Sequence, residues 1–290
     1  MSRLSATRRG AFVLIVLIVA VPLGGCSRPV GSGSTGTLPP AATPPPMPSS
    51  SVAAGRPEQP SQSAAPDQPI GLRFPPPPAD LNTLQVPPGN GHSVSLSFDD
   101  GPSPDFTPQI LALLTAAHAP AVFCLIGQQA VRLPYLVRQE VAAGFKLCDH
   151  SRDHDLDMQR KGPGFQAREV TDGLHDIQQA APGAQVQLYR QPGGFWNPTV
   201  VEAMYQAGLT PLRWSDDPRD WSRPGAAAIA QRILLRLQPG AVVLLHDGGG
   251  NRTQTVQALA WLLKALPAAG WHFTLPTTAD LSPQDAARPE

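Results

Sequence analysis

Two carboxylates and two imidazoles lie at spacings that suit metal chemistry. An Asp-Asp-Gly-Pro stretch at 99–102 closes an apolar run, and His150 and His154 follow about 50 residues later. Adjacent Asp side chains at a strand end point in different directions, so one carboxylate can bind a metal while the other stays free as a base. Two imidazoles four residues apart can share one ion if their segment makes a helical turn. Each pair alone is ordinary, but together they indicate metal-assisted hydrolysis.

Three further motifs follow these two along the chain. They are Tyr-Arg-Gln-Pro-Gly-Gly at 189–194, Trp-Ser-Asp-Asp-Pro-Arg-Asp-Trp at 214–221 and Val-Val-Leu-Leu-His-Asp at 242–247, each at the end of a short apolar segment. Taken in order, the five stretches resemble the polysaccharide deacetylase family, carbohydrate esterase family 4, whose catalytic unit is the NodB-type domain. The resemblance extends from residue 92 to near residue 283, and five motifs in register are far more specific than any one of them.

The resemblance implies a metal centre with a base beside it. Asp100, His150 and His154 would be the metal ligands, with coordination positions left open for water and a substrate carbonyl. Zn²⁺ suits this ligand mix, and Co²⁺, Mn²⁺ or Ni²⁺ are alternatives. Asp99 would be the general base. Arg190 would pair with Asp99 and keep it ionised and aimed.

The same resemblance assigns the other half of the reaction. His246 would protonate the leaving nitrogen, and Asp217 would orient His246 and favour its charged form. The backbone N–H of Gly193 would bind the oxyanion. Trp221 and Leu244 would surround the acetyl methyl group and limit the pocket to small acyl groups.

Each assignment has a structural alternative. Arg190 and Asp217 could form ordinary ion pairs, Trp221 and Leu244 could be core residues, and His246 could be part of a local cap.

Some positions depart from the commoner family pattern. Gln191 stands where Pro or Ala is frequent, and Gly193 stands where a larger residue is common and so leaves room beside the acetyl site. Asp216 replaces an apolar residue and adds a negative charge near the mouth. These positions concern the choice of sugar rather than the reaction.

The chain after Asn90 alternates apolar strands with amphipathic helices, which predicts parallel β/α units of the α/β class. Strands are predicted at 93–98, 121–126, 145–149, 187–189, 209–214, 241–245 and 271–275. Helices are predicted at 107–117, 134–143, 166–180, 198–207, 225–236 and 253–268. Seven strands could form an open sheet or a barrel, and the family resemblance implies an incomplete (β/α)7 barrel. In such a fold the motifs at strand carboxyl ends converge on one mouth.

The first 90 residues have the pattern of an export signal followed by a linker. Residues 1–26 carry three Arg and no acidic residue, then an apolar stretch at 11–21 and a Leu-Gly-Gly-Cys ending that resembles a bacterial lipobox with Cys26 as the acylated residue. An uncleaved membrane anchor is the alternative. Residues 27–90 hold 17 of the 35 prolines and predict a solvated linker. The catalytic domain is placed at 91–283 and a tail at 284–290.

Charge and composition limit the partners. The 22 basic and 22 acidic residues become 19 and 22 once Arg3, Arg8 and Arg9 are removed, a net charge of −3. No basic excess suggests nucleic acid. We expect a monomer that is exported, lipid-anchored on the outer face of the bacterial cell membrane, and acting on a polysaccharide.

Two cysteines remain after Cys26. Cys124 and Cys148 fall on predicted neighbouring strands. An exported compartment favours a disulfide between them, and two buried thiols are the alternative.

The sequence thus predicts a metal-dependent N-deacetylase of a cell-envelope glycan, with peptidoglycan as first choice. The enzymatic alternative is an O-acetyl polysaccharide esterase of the xylan type. A non-catalytic lipoprotein that binds wall glycan is the alternative from another class. Binding alone would not require both a base and an acid, so Asp99, Arg190, Asp217 and His246 favour an enzyme.

Overall fold

The computed structural model describes Leu81 and residues 84–276. The signal segment with Cys26, most of the linker and the tail at 284–290 lie outside the described residues. The strands are β1 (Ser93–Gly101), β2 (Ala121–Leu125), β3 (Lys146–Asp149), β4 (Val186–Tyr189), β5 (Thr210–Pro211), β6 (Ala241–His246) and β7 (His272–Phe273). The α-helices are α1 (Thr107–Ala116), α2 (Gly127–Arg132), α3 (Pro134–Ala142), α4 (Pro163–Ala180), α5 (Pro198–Gln206), α6 (Ala226–Arg236) and α7 (Thr253–Ala268).

The strands form one parallel sheet in the order β5-β4-β3-β2-β1-β6, and β7 pairs with the first two residues of β1. The chain after β5 then turns to β6, where the N–H groups of Ser215 and Asp216 donate to the carbonyl of Val242 and Leu244 N–H donates to the carbonyl of Asp216. The sheet therefore curls towards closure, and the predicted incomplete (β/α) barrel is confirmed.

The two faces of the sheet have different compositions. Val94, Leu96 and Phe98 of β1 join the main core under the helices. The alternating residues face inwards, where Ser97 and Asp99 lie in register with Val122 and Cys124 of β2. The inner face holds a small separate apolar cluster of Val122, Cys124, Cys148, Leu212 and Val242. Strand alternation thus leaves polar side chains of β1 inside the barrel, in line with its mouth.

Most predicted elements are found, with shifted ends. The strand predicted at 209–214 is shortened to Thr210–Pro211, and Leu212 N–H makes a last hydrogen bond to the carbonyl of Tyr189 of β4 before the chain turns to β6. The strand predicted at 271–275 is His272–Phe273. The helix α2 was not predicted, and α4 begins at Pro163 rather than at 166. Proline stands in the first turn of α1, α3, α4 and α5, where a missing N–H costs little.

The end of the predicted linker packs against the domain. Leu81 is fully buried, and Leu84 and Val86 pack against the main core. Trp271 Nε1 donates to the carbonyl of Pro87 at 2.9 Å. None of the described helices is long and apolar enough to cross a membrane.

Cys124 and Cys148 are register partners on β2 and β3. Their Cα atoms are 4.2 Å apart, both side chains are buried on the inner face, and the structure joins them in a disulfide. The bridge joins β2 to β3 two residues before His150, which belongs to the site described next.

Candidate active site

The end of β1 brings both carboxylates of the first motif to one imidazole. Strand alternation would send Asp100 to the helix side, but the register with β2 shifts between Asp99 and Gly101, and Asp100 adopts a φ of 72°. As a result, Asp99 Oδ2 lies 3.4 Å and Asp100 Oδ1 3.7 Å from His150 Nε2. The two carboxylates do not diverge as expected from a regular strand. A bulge turns the second one back towards the mouth.

Asp100, His150 and His154 each offer a ligand atom, and these atoms lie within 4.8 Å of one another. His154 Nε2 is 3.2 Å from Asp100 Oδ1. The two imidazoles come together without the helical turn that would have been one way to do so. Their segment is a loop in which Ser151 and His154 have φ values of 64° and 56°. Ser151 causes this local fold, because its Oγ accepts from His154 N–H and its carbonyl accepts from Gly127 N–H at the start of α2.

His150 is oriented as a metal ligand needs to be. Its Nδ1 lies 2.7 Å from the carbonyl oxygen of Arg190, so Nδ1 carries the hydrogen and Nε2 presents a lone pair to the carboxylates. Burial, followed by the nearby His154, lowers the pKa of His150 to about 3. The imidazole is therefore neutral at neutral pH. Asp100 Oδ1 is buried without a hydrogen-bond partner, and the donor set fits a divalent cation such as Zn²⁺.

Arg190 lies fully buried beneath this set and holds Asp99. Its Nη1 donates to Asp99 Oδ1 at 2.7 Å, and its Nη2 donates to Ser97 Oγ at 2.9 Å. Its Nε donates to the carbonyl of Leu212 at 3.2 Å. The predicted pair between Arg190 and Asp99 is present, and the guanidinium offsets the charge of a buried carboxylate while fixing its direction.

The carboxylate next to His246 is Asp220, and the prediction of Asp217 in this place is wrong. His246 Nδ1 donates to Asp220 Oδ1 at 2.7 Å, and His246 N–H donates to Asp220 Oδ2 at 3.0 Å. Thr255 Oγ1 of α7 adds a third hydrogen bond, to Asp220 Oδ2. Asp217 instead accepts from Arg219 N–H at 2.7 Å, in the manner of a turn residue.

The physical reason is the turn between the two carboxylates. Asp217-Pro218 opens a turn in which Arg219 adopts a φ of 56°, and a 3₁₀ turn then begins at Asp220 and carries its side chain inwards. Asp220 is 1% exposed. The signal was present in the sequence, because Asp followed by Pro is typical of a turn start and leaves the later Asp as the candidate.

Asp220 also sets the charge of His246. Burial lowers the pKa of His246, but the hydrogen bond and charge of Asp220, with Asp100 and Asp99 nearby, outweigh it and raise the pKa to about 9. Burial likewise raises the pKa of Asp220, and its hydrogen bond and charge pairing with His246 more than reverse this, so its pKa is lowered. His246 is thus charged at neutral pH and able to donate a proton.

Replacing Asp220 by Asn should move the alkaline limb of the pH–activity profile to lower pH. The raised pKa keeps His246 protonated up to about pH 9. Without the carboxylate, the pKa should return to about 6.5 or below. Turnover at about pH 8 should therefore fall roughly 30-fold, with recovery as the pH is lowered. The measurement is kcat against pH.

Asp217→Asn is the matched control for this variant, because it removes the same charge from the same loop. It should leave the alkaline limb in place. A shift in Asp217→Asn with none in Asp220→Asn would restore the original assignment.

The structure does not leave the extra room beside Gly193 that the sequence suggested. Gly193 has a φ of 63°, and a Cβ placed on it would lie 2.6 Å from Cε2 of Phe195 and 3.2 Å from Cδ2 of Leu156. Those side chains fill the space. The N–H groups of Gly194 and Phe195 donate to the carbonyls of residues 191 and 192, whereas none of these turn hydrogen bonds uses Gly193 N–H.

The remaining predicted residues flank the mouth. Leu244 is buried on the inner face of β6, in register with Ser97. Trp221 is 44% exposed, and the guanidinium carbon of Arg219 lies 4.9 Å from its ring centre.

Gln191 and Asp216, the two polar residues that depart from the family pattern, are both buried. Gln191 accepts a hydrogen bond from Tyr189 OH at 2.8 Å. Asp216 is buried in its bridge to β6, and burial raises its pKa to about 7 despite Arg236. Asp216 therefore does not place an open negative charge at the mouth.

Known polysaccharide deacetylases are similar to this chain. A model of the polysaccharide deacetylase family matches residues 87–212. The chain is 39% identical over 204 residues to a chitooligosaccharide deacetylase from Sinorhizobium fredii, covering 66% of this chain and 94% of that protein. It is 36% identical over 198 residues to a peptidoglycan-N-acetylglucosamine deacetylase from Bacillus cereus, covering 68% and 91%. A family 4 carbohydrate esterase from Streptomyces lividans, solved in complex with acetate, superposes with a TM-score of 0.59 at 30% identity, covering 65% of this chain and 100% of that chain.

Proposed function

Because the chain belongs to the polysaccharide deacetylase family, carbohydrate esterase family 4, and is a hydrolase of the N-acetyl amides of a polysaccharide, we propose that its substrate is peptidoglycan and that it depends on a divalent metal. The observation that carries the proposal is the pairing of a base and an acid around one ligand set. Asp99 is held by Arg190, and His246 is held by Asp220. A wall-binding lipoprotein without turnover would need neither pair.

Asp100, His150 and His154 would hold the metal, with Zn²⁺ first and Co²⁺, Mn²⁺ or Ni²⁺ as alternatives. When bound, such an ion supplies Lewis acidity that activates water and polarises the acetyl carbonyl. The fit rests on the unpaired Oδ1 of Asp100 and on the neutral, oriented imidazole of His150.

The protein's own groups then divide the proton transfers. Asp99 accepts a proton from the attacking water while Arg190 keeps the carboxylate in place. The backbone N–H of Gly193 would donate to the developing oxyanion. His246 protonates the leaving nitrogen, and Asp220 keeps His246 charged until that step. Trp221 and Leu244 would border the acetyl methyl group.

The acid favours an amide substrate over an ester. An amine is a far poorer leaving group than an alkoxide of a sugar, so protonation by His246 matters more for N-deacetylation. The relatives named as chitooligosaccharide and peptidoglycan-N-acetylglucosamine deacetylases support the same choice. An O-acetyl esterase of the xylan type is the second candidate.

The substrate is tested by scoring acetate release from three polymers with the metal-loaded chain. Peptidoglycan and N-acetylated chito-oligosaccharides should release acetate and gain free amines, whereas acetyl-xylan should react at a much lower rate. Robust release from acetyl-xylan with none from the two N-acetylated glycans would move the assignment to the esterase.

The same proposal places the enzyme on the outer face of the bacterial cell membrane, attached through lipidated Cys26. A diacylated Cys gives stable attachment where one acyl chain would be marginal. Cys26→Ser should therefore shift the full-length chain from the detergent phase to the aqueous phase in detergent phase partitioning. Recovery of the parent chain in the aqueous phase would contradict the anchor.

A further inference from the structure

Two exposed apolar side chains meet beside the candidate active site. Leu156 is 51% exposed and Phe195 is 50% exposed. Leu156 lies two residues after His154, in the loop after β3, and Phe195 lies two residues after Gly193, in the loop after β4. Both would crowd a Cβ on Gly193, at 3.2 Å and 2.6 Å. Side chains from separate loops therefore converge at Gly193, the residue whose N–H is proposed to bind the oxyanion, and their outer surfaces remain open to solvent.

The turn that carries Phe195 is held in place by a hydrogen bond and by packing on aromatic rings. Trp196 N–H donates to the carbonyl of Gly194 at 2.9 Å, and the Trp196 ring packs edge-on against buried Tyr189 with 5.9 Å between ring centres. A Cβ on Gly194 would lie 2.7 Å from Cη2 of Trp214, so this turn lies directly on a second aromatic ring. Phe195 is thus presented outwards by a turn packed on aromatic side chains.

We propose that Phe195 and Leu156 form an apolar platform that binds the ring of the sugar next to the one being deacetylated. The proposal rests on the proposed function and specifies how that site takes a polymer. One face of a pyranose ring carries mainly C–H groups, and such a face packs favourably on an aromatic ring and an aliphatic side chain. The position beside Gly193 suits the neighbour of a sugar whose acetyl oxygen reaches the Gly193 N–H.

The platform also explains why position 193 is glycine. A side chain there would need the left-handed backbone at φ 63° and would displace the Phe195 ring. The aromatic surface is therefore supplied from position 195, and Leu156 extends it towards the metal ligands. The consequence is a preference for oligomers, because a single sugar cannot occupy both the acetyl site and the platform.

Steady-state kinetics on N-acetylated chito-oligosaccharides of increasing length test the platform. For Phe195→Ala in the metal-loaded chain, KM for tetramers and longer chains should rise about 10-fold, while kcat stays within about 2-fold of the parent. Leu156→Ala should shift KM in the same direction by less. Phe195→Tyr should restore the parent KM because it keeps the ring. Rates on the shortest substrates that react should not change.

Tyr205→Ala is the matched control. Tyr205 is an exposed aromatic near the end of α5, and the carboxyl end of a barrel helix lies away from the mouth. This variant should match the parent on every substrate. Phe195→Ala should also leave thermal unfolding and the oligomeric state, measured by light scattering, unchanged.

A binding measurement in a variant without turnover tests the platform independently of the proposed N-deacetylase function. In the Asp99→Asn background, calorimetric titration with a chito-oligosaccharide should show binding about 10-fold weaker once Phe195 is replaced by Ala. Such weakening in a parent that deacetylates no glycan would support the platform while refuting the proposed function. Equal KM values at all lengths for parent and Phe195→Ala would overturn the platform. A change of oligomeric state in Phe195→Ala with unchanged KM would also overturn it and assign the patch to contacts between copies.

Discussion

Asp99→Asn is expected to lower turnover at least 100-fold while the chain keeps its metal. Asn has almost the same shape but cannot accept the proton of the attacking water. It also leaves the buried Arg190 without the carboxylate that its Nη1 contacts at 2.7 Å. The loss should appear mainly in kcat. The measurement is acetate release per metal-loaded site, with the metal content determined by mass spectrometry of the digested protein.

His246→Ala should lose a similar factor at the other end of the reaction, because the leaving nitrogen then departs unprotonated. The variant should also keep the metal, since His246 is not among the three ligand residues. His175→Ala on the surface of α4 is the control, and it should behave as the parent. Deacetylation of chito-oligosaccharides by His246→Ala at the parent rate would place the general acid elsewhere.

Loss of either imidazole ligand is expected to remove both metal and activity. His154 Nε2 lies 3.2 Å from Asp100 Oδ1, and the His150 and His154 ring centres are 4.9 Å apart, so each ring supplies one of three donors around one point. Two donors hold a divalent ion far less well than three. His150→Ala and His154→Ala should therefore show no bound Zn²⁺ at equimolar metal by calorimetry, and activity at background.

The His175→Ala variant again serves as the control, with parent-like Zn²⁺ binding. Bound metal at the parent level in His154→Ala would exclude His154 as a ligand. Cd²⁺ or Co²⁺ spectroscopy of the parent would then identify the donors that remain.

The sequence predicts the fold and the gathering of the site for one physical reason. In parallel β/α units the carboxyl ends of the strands share one edge, so motifs at the ends of β1, β3, β4 and β6 must meet. Asp99, His150, Arg190 and His246 lie together for that reason. The pair between Arg190 and Asp99 was also predictable, because the family pattern carries it. Placement on neighbouring strands made a disulfide between Cys124 and Cys148 possible but left two buried thiols as the alternative, and the structure contains the disulfide.

The wrong expectations concern positions whose structure depends on a local turn or on a contact between residues far apart in the sequence. Asp217 and Asp220 are three residues apart in one loop, and only the turn after Pro218 determines which of them turns inwards. The loop between His150 and His154 is fixed by Ser151 and its contact with α2, an element that the pattern did not reveal. The filling of the space at Gly193 by Phe195 depends on a contact between side chains that periodicity does not encode.

The most direct test of metal-dependent N-deacetylation is mass spectrometry of an N-acetylated chito-oligosaccharide incubated with the chain before and after removal of its metal. The metal-loaded chain should yield products that have lost one acetyl group in exchange for hydrogen, each with a new free amine, and Zn²⁺ should restore this activity to the stripped chain. The same products formed at the full rate by exhaustively chelated protein would contradict the assignment of Asp100, His150 and His154. Unchanged substrate masses with the metal-loaded chain would contradict N-deacetylation itself.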